Sequence, residues 1–554
     1  MANKKLKVLM VSEASFLSSG FGTYAREILK RLHASDKYEI AELACYGKVN
    51  DPKDQDIHWR YYANAVDPSD PRHKQYNESM ENQFGRWRFE RVLLDFKPDV
   101  VIDVRDYWMN SYQESSPLRP YFHWAIMPTV DSAPQQEDWV DTYMHADAVF
   151  TYSDFGRDTL LEQSNNKINY IDTTSPGVDL GVYQPIGNRE EIRKTFNLDG
   201  KFIIGSIMRN QKRKLIPELF ATLRKIIDTS KDNNPDLANN IYLYLHTSYP
   251  DAGWDIPELL KEYRIGNRVL FTYACRSCSL YRPMLYQHPI TYCPRCGNKS
   301  YSMPNVSNGL PQKDLNAIIN TFDLYVQYAI CEGFGMPQVE AAAAGVPIAS
   351  VNYSAMMDVV HKLNGYPIRV NQYFKEMETR AIRVYPDNDH LIEIIQEYHS
   401  MPDILKEQKR HETRQLVEQH YNWDNIAKKW ENYLDNIKLT GLQGQWDYPM
   451  TPINNLEHID SNKMPYDLIV DWISKNMPNH HIMSSMNMLH MIENLDYGFI
   501  LNGLQTQEYT IKEMTQNLEN IIKNHNITTE AHNNKDILAK EDFIEYANMK
   551  DQTK

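Results

Sequence analysis

The stretch Glu332-Gly333-Phe334-Gly335-Met336-Pro337-Gln338-Val339-Glu340-Ala341-Ala342-Ala343-Ala344-Gly345-Val346-Pro347 decides how this chain folds. The apolar run Leu324 to Val326 before it predicts a buried strand, and Pro337 suits the first turn of a helix, where no amide partner is needed. A strand, a glycine-rich loop and a helix are therefore expected in that order. The glycines let backbone approach a ligand closely, and free amides at a helix start present partial positive charge to a phosphate. Glu332 in the loop and Glu340 about one turn into the helix are placed to accept hydrogen bonds from sugar and ribose hydroxyls. Two carboxylates beside such a loop are costly without a polar partner, which weighs against a segment chosen for packing alone.

Working outward, the same unit recurs. Phe202 to Ser206, Ile241 to Leu245, Val269 to Phe271 and Pro347 to Ser350 read as further strands, with helices starting near Leu215 and Asp314. Nearer the start, strands are expected at Lys7 to Val11, Val100 to Val104, Tyr121 to Met127 and Ala148 to Tyr152. Helical patterns lie between them, one carrying Ala25, Ile28, Leu29 and Leu32 on a single face. Alternation of this kind predicts two doubly wound parallel sheets, with a turn-rich linker near residue 185. Helical patterns follow at Asp389 to Ser400, Asp403 to Tyr421 and Asn422 to Ile437, and beyond them the chain turns rich in Asn, Met and His.

The bulk composition agrees. At 554 residues the chain is long enough for about three structural units. The N-terminal apolar run Val8 to Val11 is too short for a signal peptide and no run approaches a membrane span, so a cytoplasmic protein is expected. A net charge of −14 repels polyanions as a whole, so a nucleic-acid partner needs a local basic patch. Four of the six cysteines form Cys275-Arg276-Ser277-Cys278 and Cys293-Pro294-Arg295-Cys296. Two such knuckles at this spacing predict a four-thiolate zinc ribbon over 273–303, closed and hence structural. It carries Arg276, Arg282, Arg295 and Lys299 among Tyr281, Tyr286, Tyr292 and Tyr301, a mix that suits bases and phosphates or, equally, a rigid clamp.

The Glu332 to Glu340 spacing with its flanking Gly-Phe-Gly and Ala-Gly-Val-Pro resembles the most diagnostic motif of the family 4 retaining glycosyltransferases. Gly20-Phe21-Gly22, Tyr152-Ser153-Asp154-Phe155-Gly156, Pro176-Gly177-Val178-Asp179, Arg209-Asn210-Gln211-Lys212-Arg213-Lys214 and Trp423-Asp424-Asn425-Ile426-Ala427 follow in family order. The resemblance implies the α/β GT-B fold: two Rossmann-like domains facing across a cleft, 1–185 on the acceptor side and 186–420 binding a nucleotide-sugar. A helix at 421–438 returns to the first domain, and a helical, partly disordered accessory region at 440–554 has no evident role.

It also implies a UDP- or GDP-sugar donor, transfer of a hexose or pentose with retention, and no catalytic metal. Arg209 and Lys214 are expected to hold the donor diphosphate, whereas Lys212 and Arg213 fit a solvated loop better. Gly20, Gly22, Gly333, Phe334, Gly335, Met336 and Glu340 complete the donor site, and Glu332 joins Arg209 and Lys214 in the catalytic group. Asp131, in Met127-Pro128-Thr129-Val130-Asp131, stands where many members carry a histidine; it is a candidate for contact with donor sugar or acceptor, with helix capping as its competing role and His123 as runner-up. The acceptor is a carbohydrate or, given the ribbon, a modified DNA base as in phage DNA glycosyltransferases. A non-catalytic binding module working through the ribbon and tail is the competing class.

Overall fold

The structure, a computed structural model, describes residues 5–49, 51, 57–116, 118–305 and 309–446; most of the expected 440–554 accessory region lies outside them. Its strands in chain order are β1 (Leu6–Glu13), β2 (Tyr38–Lys48), β3 (Arg60–Ala65), β4 (Val100–Asp103), β5 (His123–Ile126), β6 (Ala148–Thr151), β7 (Tyr170–Thr173), β8 (Phe202–Ile207) and β9 (Ile241–His246). They continue with β10 (Val269–Cys275), β11 (Tyr281–Leu285), β12 (Ile290–Thr291), β13 (Tyr301–Ser302), β14 (Leu324–Gln327), β15 (Ile348–Val351), β16 (Tyr366–Ile368), β17 (Val370–Lys375) and β18 (Ile382–Pro386).

The described residues divide into two compact units: one of residues 5–127, 145–148 and 435–446, the other of 128–144 and 149–434. In the first, β3-β2-β1-β4-β5 lie side by side in parallel. Val8 to Val11 are wholly buried, as are Ile28, Leu29 and Leu32 on the inner face of the helix Gly20–Ala34. That is the pattern of a sheet covered on both faces. β2 and β3 are additions to the sequence expectation: Glu39 and Glu42 interrupt the apolar run, yet Glu42 is buried, accepting from the Trp59 indole at 2.6 Å and the Ser15 amide at 3.3 Å.

The second unit holds the parallel ladder β10-β9-β8-β14-β15-β16 and the hairpin β17–β18, an addition to the sequence expectation. Its core runs from Phe202 through Leu243, Phe271 and Val326 to Tyr398. β10 continues into the ribbon, where β11 and β13 pair with it antiparallel. Two motifs that are weak alone meet in this unit. A Cβ on Gly177 would stand 2.8 Å from the Trp423 ring, and the Val178 amide donates to Tyr421 at 2.8 Å. Trp430, on the same helix Trp423–Asn436, packs on Phe150. No helix among the described residues is long and apolar enough to cross a membrane.

Candidate active site

β14 ends at Gln327 and the chain turns through residues 328–335 into the helix Met336–Ala343, with Pro337 in its first turn. Gly335 sits at φ +84°, a left-handed conformation that glycine adopts without strain. Gly333 passes so close to Thr129 that a Cβ would lie 2.3 Å from its methyl. These two positions explain why glycine occupies them. Phe334 is buried against Tyr421, 5.7 Å between centroids, and Met336 opens the helix.

Glu332 is the hub. Its amide donates to Ser354 Oγ at 3.0 Å, and its carboxylate accepts from Gln327 at 2.9 Å, from Arg213 at 2.8 Å and from the Lys214 ammonium. Tyr325 fixes Gln327 in turn at 2.8 Å. Lys214 is buried, and burial pushes its ammonium well below the usual range, with the Arg213 charge adding to the effect; the Glu332 carboxylate opposes that shift. Arg213 therefore departs from the expected solvated loop: half-exposed, it grips Glu332 and reaches the Cys331 carbonyl at 3.3 Å.

Arg209 stands 51% exposed and forks onto Asp251 at 3.0 and 3.1 Å. That contact and the Ser248 hydroxyl hold the Asp251 carboxyl down at about 2. Asn210 clasps the loop carrying Asp251, exchanging hydrogen bonds of 2.8 Å with the backbone of Trp254, whose indole reaches the Lys214 carbonyl at 3.2 Å. The loops after β8 and β9 thus form one rigid rim. Nothing in the sequence marks Asp251 or Trp254 as part of it.

Asp131 is not a helix cap, because the nearest following helix spans Glu137–Met144 and the carboxylate is otherwise engaged. It accepts from Arg383 at 2.9 Å and from Ser132 at 2.8 Å, with Cys331 Sγ 3.3 Å away. Arg383, buried on β18, also contacts Cys331 Sγ at 2.9 Å and Glu376 at 2.8 and 3.1 Å. Cys331 joins the two groups: its thiol meets Asp131 and Arg383, and its carbonyl accepts from Arg213, which also holds Glu332. Arg383 has no signal in the sequence, because Asp131 and Cys331, the partners that place it at the site, lie far away along the chain.

Glu340 stands apart from that cluster; burial raises its carboxyl to about 7, and Tyr183 hydrogen-bonds to it. In the other unit, Ser19 caps the helix Gly20–Ala34, accepting from the Gly22 amide at 3.1 Å. A Cβ at Gly22 would meet the carbonyls of Ala14 and Leu17 at 2.8 Å. His123 is buried, its ring 3.3 Å from Gln443, and burial lowers its pKa.

The four ribbon cysteines converge, with all sulfurs within 4.8 Å of one another. Cys275–Cys296 and Cys278–Cys293 are each 3.6 Å apart, against about 3.8 Å for sulfurs on a tetrahedral zinc. The knuckles match locally: the residue after each second cysteine is left-handed, Ser279 at φ +56° and Gly297 at +73°. In each, an amide returns to the first cysteine's carbonyl, Ser279 at 3.0 Å and Gly297 at 2.9 Å. The donor set fits a four-thiolate metal. The tyrosines do not all serve as free rings: Tyr301 is wholly buried, Tyr281 packs on Phe196 and Tyr286 on Phe271, leaving Tyr292 exposed.

Residues 304–393, which contain the whole Glu332–Glu340 segment, match the family described as Glycosyl transferases group 1. Sucrose-phosphate synthase from Thermosynechococcus elongatus shares the fold with a TM-score of 0.56 and 17% identity, over 78% of this chain and 98% of that one. HepE from Anabaena, in complex with UDP-glucose, superposes with a TM-score of 0.52 at 12% identity, over 78% and 100%. WaaG, a glycosyltransferase involved in lipopolysaccharide biosynthesis, does so at 0.51 and 10%, also over 78% and 100%. No curated protein matches the sequence. Residues 304–393 are thus similar to the group 1 glycosyl transferases, and the chain has the α/β GT-B fold of its structural neighbours.

Proposed function

We propose that the protein transfers a sugar from a nucleotide-diphosphate-sugar to an acceptor hydroxyl with retention of configuration. The observation that carries this reading is the buried Glu332–Lys214 pair with Arg213, whose carboxylate Glu332 lies inside the segment that matches the group 1 transferases. Arg209 and Lys214 take the diphosphate; fixed cations there stabilise the charge that grows as the anomeric C–O bond breaks, an effect worth about 3–4 kcal/mol for a single well-placed donor. Glu332 and Glu340 take donor hydroxyls, and the amides from Gly333 to Met336 approach the donor. The acceptor oxygen attacks the anomeric carbon on the face the phosphate leaves, and the departing phosphate oxygen accepts the acceptor's proton. Asp131, held by Arg383, orients a sugar hydroxyl. Gly20 and Gly22 line the donor's path, and the acceptor is a carbohydrate or a modified DNA base.

A uridine nucleotide is the first donor to try, since HepE is solved with UDP-glucose. The four cysteines hold a structural zinc, which suits a reducing, cytoplasmic setting. The test is release of free nucleotide from a panel of UDP- and GDP-hexoses and pentoses. The wild type turns over at least one donor, and E332A and R209A abolish the turnover. Neither turnover nor binding across the panel refutes the enzyme reading and leaves a binding module.

A further inference from the structure

From Tyr263 to Lys313 there is no Asp or Glu, while seven Arg and Lys occur. All 73 acidic residues lie elsewhere with 52 of the 59 basic ones, so the rest of the chain carries −21 against +7 here. A zinc ion on four thiolates subtracts about two charges and leaves the sign unchanged. Segregation this sharp is not required for folding, because other cations of the sheet domain that bears the ribbon are paired: Arg209, Arg213 and Arg224 each hold a carboxylate. Arg276, Arg282, Arg295 and Lys299 are exposed, and among the described residues none forms an ion pair.

The fold gathers three of these four. The 3.6 Å approach of Cys275 to Cys296 brings the two knuckles together, so Arg276 and Arg295 stand at the same end of the ribbon. The Arg276 amide donates to the Ser300 carbonyl at 3.2 Å, which sets Lys299 beside them. Tyr292, next to Cys293, is 66% exposed, and Ile290 is 53% exposed on the same strand region.

We infer that this end of the ribbon docks a nucleic-acid strand by its phosphodiester backbone. Guanidinium forks match phosphate oxygens bidentately, and a free aromatic ring between cations suits stacking on a base. A molecule of net charge −14 repels a polyanion as a whole, so an approaching strand is steered to a segment that contributes cations and no carboxylate of its own, although Asp314 lies beside Tyr281 and Asp255 near Tyr286 at its base. The inference deepens the proposed function by naming the polymer that carries the acceptor, and it rests on that reading only for the strand's purpose.

The experiment is fluorescence anisotropy of a labelled single strand with the intact, zinc-loaded protein, without donor, at 50 and 200 mM salt. Three neutralised phosphates give a log–log salt slope near −2, a loss of affinity of about 20-fold over that range. R276S/R282S/R295S/K299S loses the salt-dependent binding, and R295E alone reduces the slope by about one, while zinc content and donor hydrolysis stay as in the wild type. The inference is overturned if the wild type does not bind, if the quadruple variant keeps the full slope, or if polyglutamate or heparin of equal charge competes as well as the strand. Donor turnover without strand binding sinks the docking surface alone; strand binding without turnover sinks the transferase alone.

Discussion

At Lys214 the proposed donor chemistry and the stability of the fold rest on the same contact. A buried ammonium needs a carboxylate, and Glu332 is the one it has. Removing one partner strands the other, so E332A is expected to cost about 3–5 kcal/mol by urea unfolding. E332A/K214A should cost less than the sum of the single changes, a coupling that a double-mutant cycle reads directly. Arg383 makes the same argument for Asp131. R383A is expected to destabilise by a similar amount and to lower kcat/KM, while R383K keeps the charge, loses the fork and falls between. Glu332, Lys214 and Asp131 are legible in the sequence because a local motif carries each of them. Arg383 and Asp251 are not, because their partners are brought to them by strands 40 to 250 residues away along the chain.

Among the elements, the strand–loop–helix unit at β14 is the most exacting. G333A drives a Cβ into Thr129, and T129S removes the methyl it meets; the single change should lose activity and stability, and the double change should recover much of both. β2 shows what hydrophobic patterning misses. Glu42 lies in this strand with burial raising its carboxyl to about 7 from an ordinary 4.5. Its raised folded value means that folding takes up a proton between those values, so its contribution to stability falls as pH rises from about 4.5 through 7. E42Q should flatten that decline, by at most about 3 kcal/mol, measured as unfolding free energy at pH 5 and pH 8. The hairpin β17–β18 escapes the sequence for another reason: β17 is largely exposed and β18 buries the charged Arg383 beside Val384, so no apolar period announces either strand.

For the whole molecule, the ribbon ties four converging cysteines, a candidate metal site, to a strand of the sheet. Cys275 is the last residue of β10, and β11 and β13 pair with that strand. Metal analysis should find about one zinc per chain, with the four thiols protected from titration in native protein. Chelation should free them and lower the unfolding temperature, because zinc binding is coupled to folding. The sequence by itself determined the two series of alternating strands and helices, the glycine-rich entry to the helix at Met336 and the spacing of the four cysteines. These are written in short-range periodicity and in residue types that only a few backbone conformations accept. The tertiary structure decided that Arg213 grips Glu332, that Arg383 holds Asp131, that Asp251 engages Arg209 and that Tyr301 is core rather than surface. Those outcomes depend on which strands lie side by side, and charge partners chosen through space leave no period in the chain.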